Sequence, residues 1–175
     1  RLIGVSWARE MCIRDRIYAI GGYDGDERLA SVECFNPLMN AWISAPELSI
    51  QRNAAGAAVI DGKLYVAGGA GGYAEEDETW SSVECFDPAT GRWERVAPMA
   101  TARAFFGMAA LEGKLYVAGG TGGIECYDSV EVYDPKSNAW SKMPKLNVAR
   151  AFHGMVAFEG KLYVLSLIHI SEPTR

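Results

Sequence analysis

GKLYVAGG stands at residues 62–69 and again at 113–120; EGKLYV returns at 159–164, and IYAIGG stands at 17–22. Other phrases recur around it in fixed order. SVECFNP at 31–37 answers SVECFDP at 82–88 and SVEVYDP at 129–135. Trp42, Trp93 and Trp140 follow, each seven residues after Phe35, Phe86 or Tyr133. Arg52, Arg103 and Arg150 each precede the Gly of GKLYV by ten residues. Equivalent positions are 51 and then 47 residues apart, and the difference is a four-residue insertion between Gly69 and Glu84. A period near 50 points to the blades of a β-propeller rather than to a helical solenoid.

Local chemistry makes the repeat all-β. Residues 54–61, 105–112 and 152–159 are apolar runs, suited to an innermost strand buried on both faces. KLYVA is a second run rich in β-branched and aromatic residues, reached through Asp61-Gly62 or Glu112-Gly113, which suit tight hairpin turns. The pairs Gly21-Gly22, Gly68-Gly69 and Gly119-Gly120 end that strand, where a missing Cβ permits positive φ and close backbone approach. SVECF alternates polar and apolar, as a strand with two unlike faces does. Asn-Pro or Asp-Pro stops it, because proline brings no N–H to a ladder. A short turn leads to the Trp strand. The expected architecture is a partial propeller of four-stranded antiparallel blades, two complete and two partial. The blades span 17–48 (partial), 49–98, 99–146 and 147–164 (partial).

The order Arg, apolar strand, GKLYV, Gly-Gly, SVECFDP, Trp, Pro resembles the kelch repeat across residues 17–164. The wording GGYDGDERLASVECFNPLMNAW is most similar to the kelch-like proteins that carry BTB and BACK segments ahead of their propeller. That resemblance implies a substrate-recognition propeller of an adaptor for a cullin-3 ubiquitin ligase, with the BTB domain outside these residues. It leaves two alternatives: an actin- or cytoskeleton-binding kelch protein, and a fragment of a kelch-fold oxidase or sugar isomerase. It also implies propellers of usually six blades. A stretch this short lacks ring closure and is expected to aggregate or melt with poor cooperativity when isolated.

The two ends read differently from the middle. LSLIHISEPTR at 165–175 resembles the translation of a transposase sequencing adapter, and VSWAREMCIRDR at 5–16 resembles the opposite strand of the same adapter. Residues 1–16 and 165–175 are therefore expected to be adapter-derived and outside the fold.

Composition narrows function. The 175 residues carry a net charge of -5, and within 17–164 twelve Lys and Arg face nineteen Asp and Glu. This excludes a basic nucleic-acid footprint. No apolar run approaches the ~18 residues of a membrane span, and the N-terminus lacks a signal-peptide apolar core. Cys34 and Cys85 fall at matching repeat positions on strands too far apart for a disulfide, which predicts reduced thiols in a cytoplasmic protein. Neither a metal set nor a cofactor site is expected. Gly69-Ala70-Gly71 with Ala74 matches a dinucleotide fingerprint, but an acidic loop follows where a helix should begin. His153 matches Phe106 and Ala55, an interior position rather than a catalytic one.

Positions shared by every blade, namely the Gly pairs and Trp42, Trp93 and Trp140, belong to blade geometry. The segments that vary are free for recognition. With strands a to d in chain order, the b–c and d–a loops share one face. The b–c loops bring Tyr23, Arg28, Tyr73, Glu76, Trp80 and Tyr127, with Ile124, and a rim of acids. The d–a loops bring Arg52, Arg103 and Arg150 nearer the axis. Two readings stand for these arginines: bonds to carbonyls or loop carboxylates within the fold, or a fork of donors offered to an acidic residue of a partner peptide. Trp80 is either a packed loop anchor or an exposed hot spot. The face is expected to bind a protein or peptide partner.

Overall fold

The computed structural model describes residues 16–71 and 78–166, and every described element is a strand. β1 (Ile17–Tyr23), β2 (Arg28–Asn36) and β3 (Ala41–Ala45) form a three-stranded sheet. A four-stranded sheet follows, in the order β4 (Gly56–Ile60), β5 (Lys63–Ala67), β8 (Val83–Asp87) and β9 (Arg92–Val96). Within its b–c loop, β6 (Ala70–Gly71) and β7 (Glu78–Thr79) make a small hairpin around the insertion. A second four-stranded sheet is β10 (Gly107–Leu111), β11 (Lys114–Ala118), β12 (Val130–Asp134) and β13 (Ala139–Met143). The hairpin β14 (Gly154–Phe158) and β15 (Lys161–Leu165) closes the order. All pairings within the sheets are antiparallel, as in kelch blades of a partial propeller. Most of both adapter-like ends lies outside the described residues.

The a–b hairpins turn on Asp61-Gly62, Glu112-Gly113 and Glu159-Gly160, with both residues of each pair at positive φ. That is the turn whose twist matches antiparallel strands. The Gly pairs share one setting in all three copies. The first glycine has φ of 58, 61 and 65° at Gly21, Gly68 and Gly119. The second donates its N–H to the Arg carbonyl of the following blade: Gly22 to Arg52 O (2.8 Å), Gly69 to Arg103 O (2.9 Å) and Gly120 to Arg150 O (2.8 Å). A Cβ on the first glycine would run into that same carbonyl. Blade spacing thus depends on a glycine's missing side chain.

The tryptophans lock neighbouring blades together. Each ring tilts against the aromatic paired with it across the strand, at 5.4 Å (Phe35–Trp42), 5.1 Å (Phe86–Trp93) and 5.2 Å (Tyr133–Trp140). Trp93 Nε1 donates to Pro46 O and Trp140 Nε1 to Ala97 O, both at 2.7 Å and both reaching into the preceding blade. Nearest the axis, Phe105 N donates to Ala54 O and Phe152 N to Phe105 O, so blades are also stitched where they converge. Ala54, Phe105 and Phe152 all hold positive φ (50, 55 and 56°) to make these bonds.

The innermost strand departs from the expectation of burial on both faces. β10, flanked by β4 and β14, is largely buried, whereas in β4 Ala57 and Val59 are exposed and in β14 Val156 and Phe158 are exposed. Alternate residues face opposite neighbours. Gly56, Ala58 and Ile60 face β10, so Ala57 and Val59 face the place where the first sheet would carry an a strand.

Candidate partner-binding face

The b–c and d–a loops meet on one face. Arg52 N donates to Leu29 O, Arg103 N to Trp80 O and Arg150 N to Tyr127 O, at 3.0 to 3.1 Å. Leu48 N–Ala30 O, Met99 N–Ser81 O and Leu146 N–Asp128 O repeat the link one step along. Trp80 therefore has backbone counterparts in the two flanking blades, Leu29 and Tyr127. Only its side chain differs.

Arg52 and Arg103 do not offer donors to a partner. Their exposures are 1% and 0%. Arg103 Nη1 bonds the carbonyls of Gly119 (2.6 Å) and Ser129 (3.2 Å), and Nη2 bonds Ser129 Oγ (3.0 Å) and Glu131 Oε1 (2.7 Å). Arg52 repeats the pattern on Gly68 O, Ser82 O, Ser82 Oγ and Glu84 Oε1. The carboxylates return to the d–a loop: Ser49 N donates to Glu84 Oε2, and Ala100 N donates to Glu131 Oε2. Burial presses the Arg52 guanidinium's pKa down and Glu84 draws it back up. Each arginine is a bolt between the d–a loop, the Gly pair and strand c. Of the two readings for these residues, the buried geometry supports the one internal to the fold. Arg150 differs: it is half-buried, and its Nε lies 3.5 Å from Val148 O.

Trp80 and Tyr127 are half-buried rather than freely exposed. Trp80 lies over Gly71 and Tyr127 over Gly122, where a Cβ would collide with either ring. Tyr127 also stacks 5.6 Å from the Arg103 guanidinium carbon. Both rings anchor their loops. The Trp80 indole Nε1 is buried without a hydrogen-bond partner among the described residues.

The residues left accessible are of another kind. Tyr23 is 59% exposed, with its hydroxyl donating to Gly25 O. Asp24 caps its own loop by accepting from the N–H groups of Glu27 and Asp26, which hold its carboxyl below the usual range. A cleft of about 230 Å³ opens on this face, lined by Arg28, Asn53, Ala70, Thr79, Ala104, Phe105, Thr121 and Gly123. Its lining mixes small and aromatic side chains with Arg28, Asn53, Thr79 and Thr121, and Asn53 Oδ1 is buried there without a hydrogen-bond partner among the described residues. Sequence reading named Arg28 from this set and missed Asn53 and Phe105; the positive φ of Phe105 has no sequence signal. Tyr73 and Glu76 lie outside the described residues, as does Ala74 of the glycine fingerprint. Gly71 of that fingerprint is the last residue of β6.

His153 is interior, with Nε2 3.0 Å from Ala118 O and Nδ1 buried without a hydrogen-bond partner among the described residues. Burial is the main cause of its lowered pKa. Above its ordinary pKa, about 6.5, the ring is neutral folded and unfolded. As pH falls below that value the unfolded chain binds the proton first, so stability is lost down to the lower native pKa. His153→Phe, which restores the residue of the preceding blade, is expected to flatten the stability profile between pH 7 and 5 in urea titrations. An unchanged slope contradicts a buried neutral ring.

Cys34 and Cys85 are buried free thiols, and burial raises the pKa of Cys85. Among the described residues no cluster of His, Cys, Asp and Glu could hold a metal ion. Likewise, no helix there is long and apolar enough to cross a membrane.

Sheets of this order, bolted by one Arg and one Gly pair per repeat and locked by one Trp, define a kelch-type β-propeller segment. Residues 7–166 match the KLHDC2/KLHL20/DRC7 Kelch-repeats domain. The chain belongs to the kelch-repeat family. It is 34% identical over 115 residues to Kelch-like protein 35 of Mus musculus, covering 65% of this chain and 20% of that protein. It is 35% identical over 119 residues to an F-box/kelch-repeat protein of Arabidopsis thaliana, covering 66% and 31%. It is 37% identical over 105 residues to Kelch-like ECH-associated protein 1A of Danio rerio, covering 60% and 17%. The chain thus spans between a sixth and a third of the length of these relatives.

Proposed function

We propose that this chain is a protein-interaction scaffold whose b–c and d–a loop face recognises a partner, as the substrate-recognition part of a kelch-like adaptor for a cullin-3 ubiquitin ligase acting in the cytoplasm. The observation that carries the recognition reading is the contrast on one face. The repeat spends Arg52, Arg103 and its glycine pairs internally, while Tyr23 is open to solvent and Phe105, half-buried against Phe152, lines the Asn53 cleft. Variable side chains on loops held by a rigid sheet are where binding concentrates. The cullin-3 reading is supported by the resemblance to kelch-like proteins, Kelch-like protein 35 among them. Among the described residues the one histidine is turned inward, and the buried acids Glu84 and Glu131 are held by Arg52 and Arg103.

Peptide-library display on the purified chain tests the face. Tyr23→Ala with Phe105→Gly is expected to weaken selected peptides by about tenfold or more, the loss of two aromatic contacts. Arg92→Ala with Lys136→Ala, at the opposite turns, is expected to leave them within about twofold. Equal losses from both pairs place recognition elsewhere. Co-purification of the full-length product with cullin-3 tests the finer reading, and its failure removes the ligase link while leaving the binding face intact.

A further inference from the structure

Resting on the recognition role given to this face, we propose that its partner is a basic segment. Lys and Arg side chains of that segment meet the acids rimming the Asn53 cleft, and one of its N–H groups binds Asn53 Oδ1. The fold leaves this acceptor unused. Asn53 is fixed by two backbone bonds to Ala70: its N–H donates to Ala70 O at 3.0 Å, and its carbonyl accepts from Ala70 N at 2.8 Å. Ala104, its counterpart in the next blade, makes the same pair of bonds with Thr121, both at 2.9 Å. Alanine therefore meets the backbone demands of this position. The carboxamide of Asn53 is additional, and its Oδ1 is buried with no hydrogen-bond partner among the described residues. A buried acceptor without a donor costs stability, and a bound N–H relieves that cost.

The charge around that acceptor is negative. Thr79 and Gly123 line the cleft. Glu78 adjoins the first and Glu125 lies two residues past the second, and both are exposed. Their loops belong to the two four-stranded sheets, each with a described sheet on either side. Among the lining residues only Arg28 carries charge, and the exposed Asp24, Asp26 and Glu27 precede it in its loop. Lys145 is taken up by Asp128 at 3.1 Å. Arg52 and Arg103, which could have reversed the sign of this face, are buried against Glu84 and Glu131. A surface of this sign attracts cations and repels carboxylates. Exposed Tyr23, beside Asp24, and exposed Ile124, beside Glu125, offer apolar surface to the stems of long basic side chains.

Rim and cleft act through different physics and are separable by salt. The exposed acids attract through water, where salt screens charges over about 10 Å at 0.1 M. The Asn53 bond is made at a buried atom by direct contact and is screened far less. Neutralising the rim removes the salt dependence of binding, whereas removing the Asn53 acceptor leaves it.

Selection against the full chain from a random peptide library, with Lys and Arg together as frequent as Asp and Glu, tests this. The selected peptides are expected to be basic. Glu27→Gln with Glu78→Gln and Glu125→Gln is expected to weaken them by about tenfold, the effect of three exposed pairs, and to flatten their salt dependence. Asp61→Asn with Glu112→Gln and Glu159→Gln removes the same charge at the a–b turns and is expected to change affinity by no more than about twofold. Asn53→Ala, which restores the residue of the next blade, is expected to weaken binding by about tenfold with the salt dependence intact. Asn53→Asp keeps the acceptor and adds charge, so it is expected to hold or tighten binding. Acidic or neutral selected peptides overturn the proposal; if they still lose affinity on Tyr23→Ala with Phe105→Gly, the recognition face stands. Equal weakening by both charge sets overturns it as well, since bulk attraction to an acidic protein then suffices. So does an Asn53→Asp loss equal to that of Asn53→Ala. A library that yields no binder, or binders indifferent to every loop-face change, removes the recognition reading with it.

Discussion

Glu131→Ala is expected to lower the stability of the chain by about 3–5 kcal/mol, because it strands the buried Arg103 guanidinium. The carboxylate is 3% exposed and bonds Arg103 at 2.7 Å. It also accepts from the N–H groups of Ala100 and Thr101. Its removal leaves a charge and two amides without their acceptor, in a site that water enters only by opening the blade. Urea midpoints measure the effect. With a slope of about 2 kcal/mol/M, the midpoint falls by roughly 2 M. Replacing both partners, Arg103→Met with Glu131→Leu, is expected to cost much less than Glu131→Ala alone, since no stranded charge remains. A Glu131→Ala loss below about 1 kcal/mol, the level of a surface pair, would show that the pair is solvated. The buried pair thus tells us more about how the blade is assembled than about what it binds.

The second large effect separates two glycines that share a backbone conformation. Gly68 and Gly160 have φ of +61 and +70°. A Cβ at Gly160 meets nothing within 4 Å, whereas at Gly68 it strikes the Arg103 carbonyl and comes within 2.8 Å of the Phe106 ring. Gly160→Ala is expected to cost only the left-handed penalty, about 1–2 kcal/mol. Gly68→Ala adds overpacking of about 1–3 kcal/mol against a backbone atom that cannot rotate away. It also pushes apart the blades joined by the Gly69–Arg103 hydrogen bond. Loss of cooperativity in the thermal melt should accompany Gly68→Ala and not Gly160→Ala. Equal losses would mean that the Gly pairs serve φ alone and not blade contact.

Both effects bear on recognition. The face proposed for binding is held by the d–a loops, and those loops are held by Arg52, Arg103 and the Gly pairs. Changes there would disturb binding indirectly, by moving loops. Tyr23 instead sits where solvent reaches it, so its substitution probes contact with a partner. This distinction makes Arg103 a poor choice for mapping a binding site, despite its place on the loop face.

The sequence by itself determined the period, the strand order within a blade, the a–b turns and the shared face of the b–c and d–a loops. Each is set by chemistry within a few residues: Asp-Gly or Glu-Gly at positive φ, alternation in SVECF, proline at a strand end. Tertiary structure alone decided which way the arginines point. Arg103 reads the same whether it bonds Glu131, 28 residues onward, or a partner peptide. Only the fold brings that carboxylate to 2.7 Å and removes both groups from water. Trp80 is a similar case, since its ring is covered by a glycine that the b–c hairpin places beneath it. Local chemistry sets backbone conformation at short range. The destination of a long polar or aromatic side chain depends on groups that distant strands deliver, so it emerges only when the blades pack.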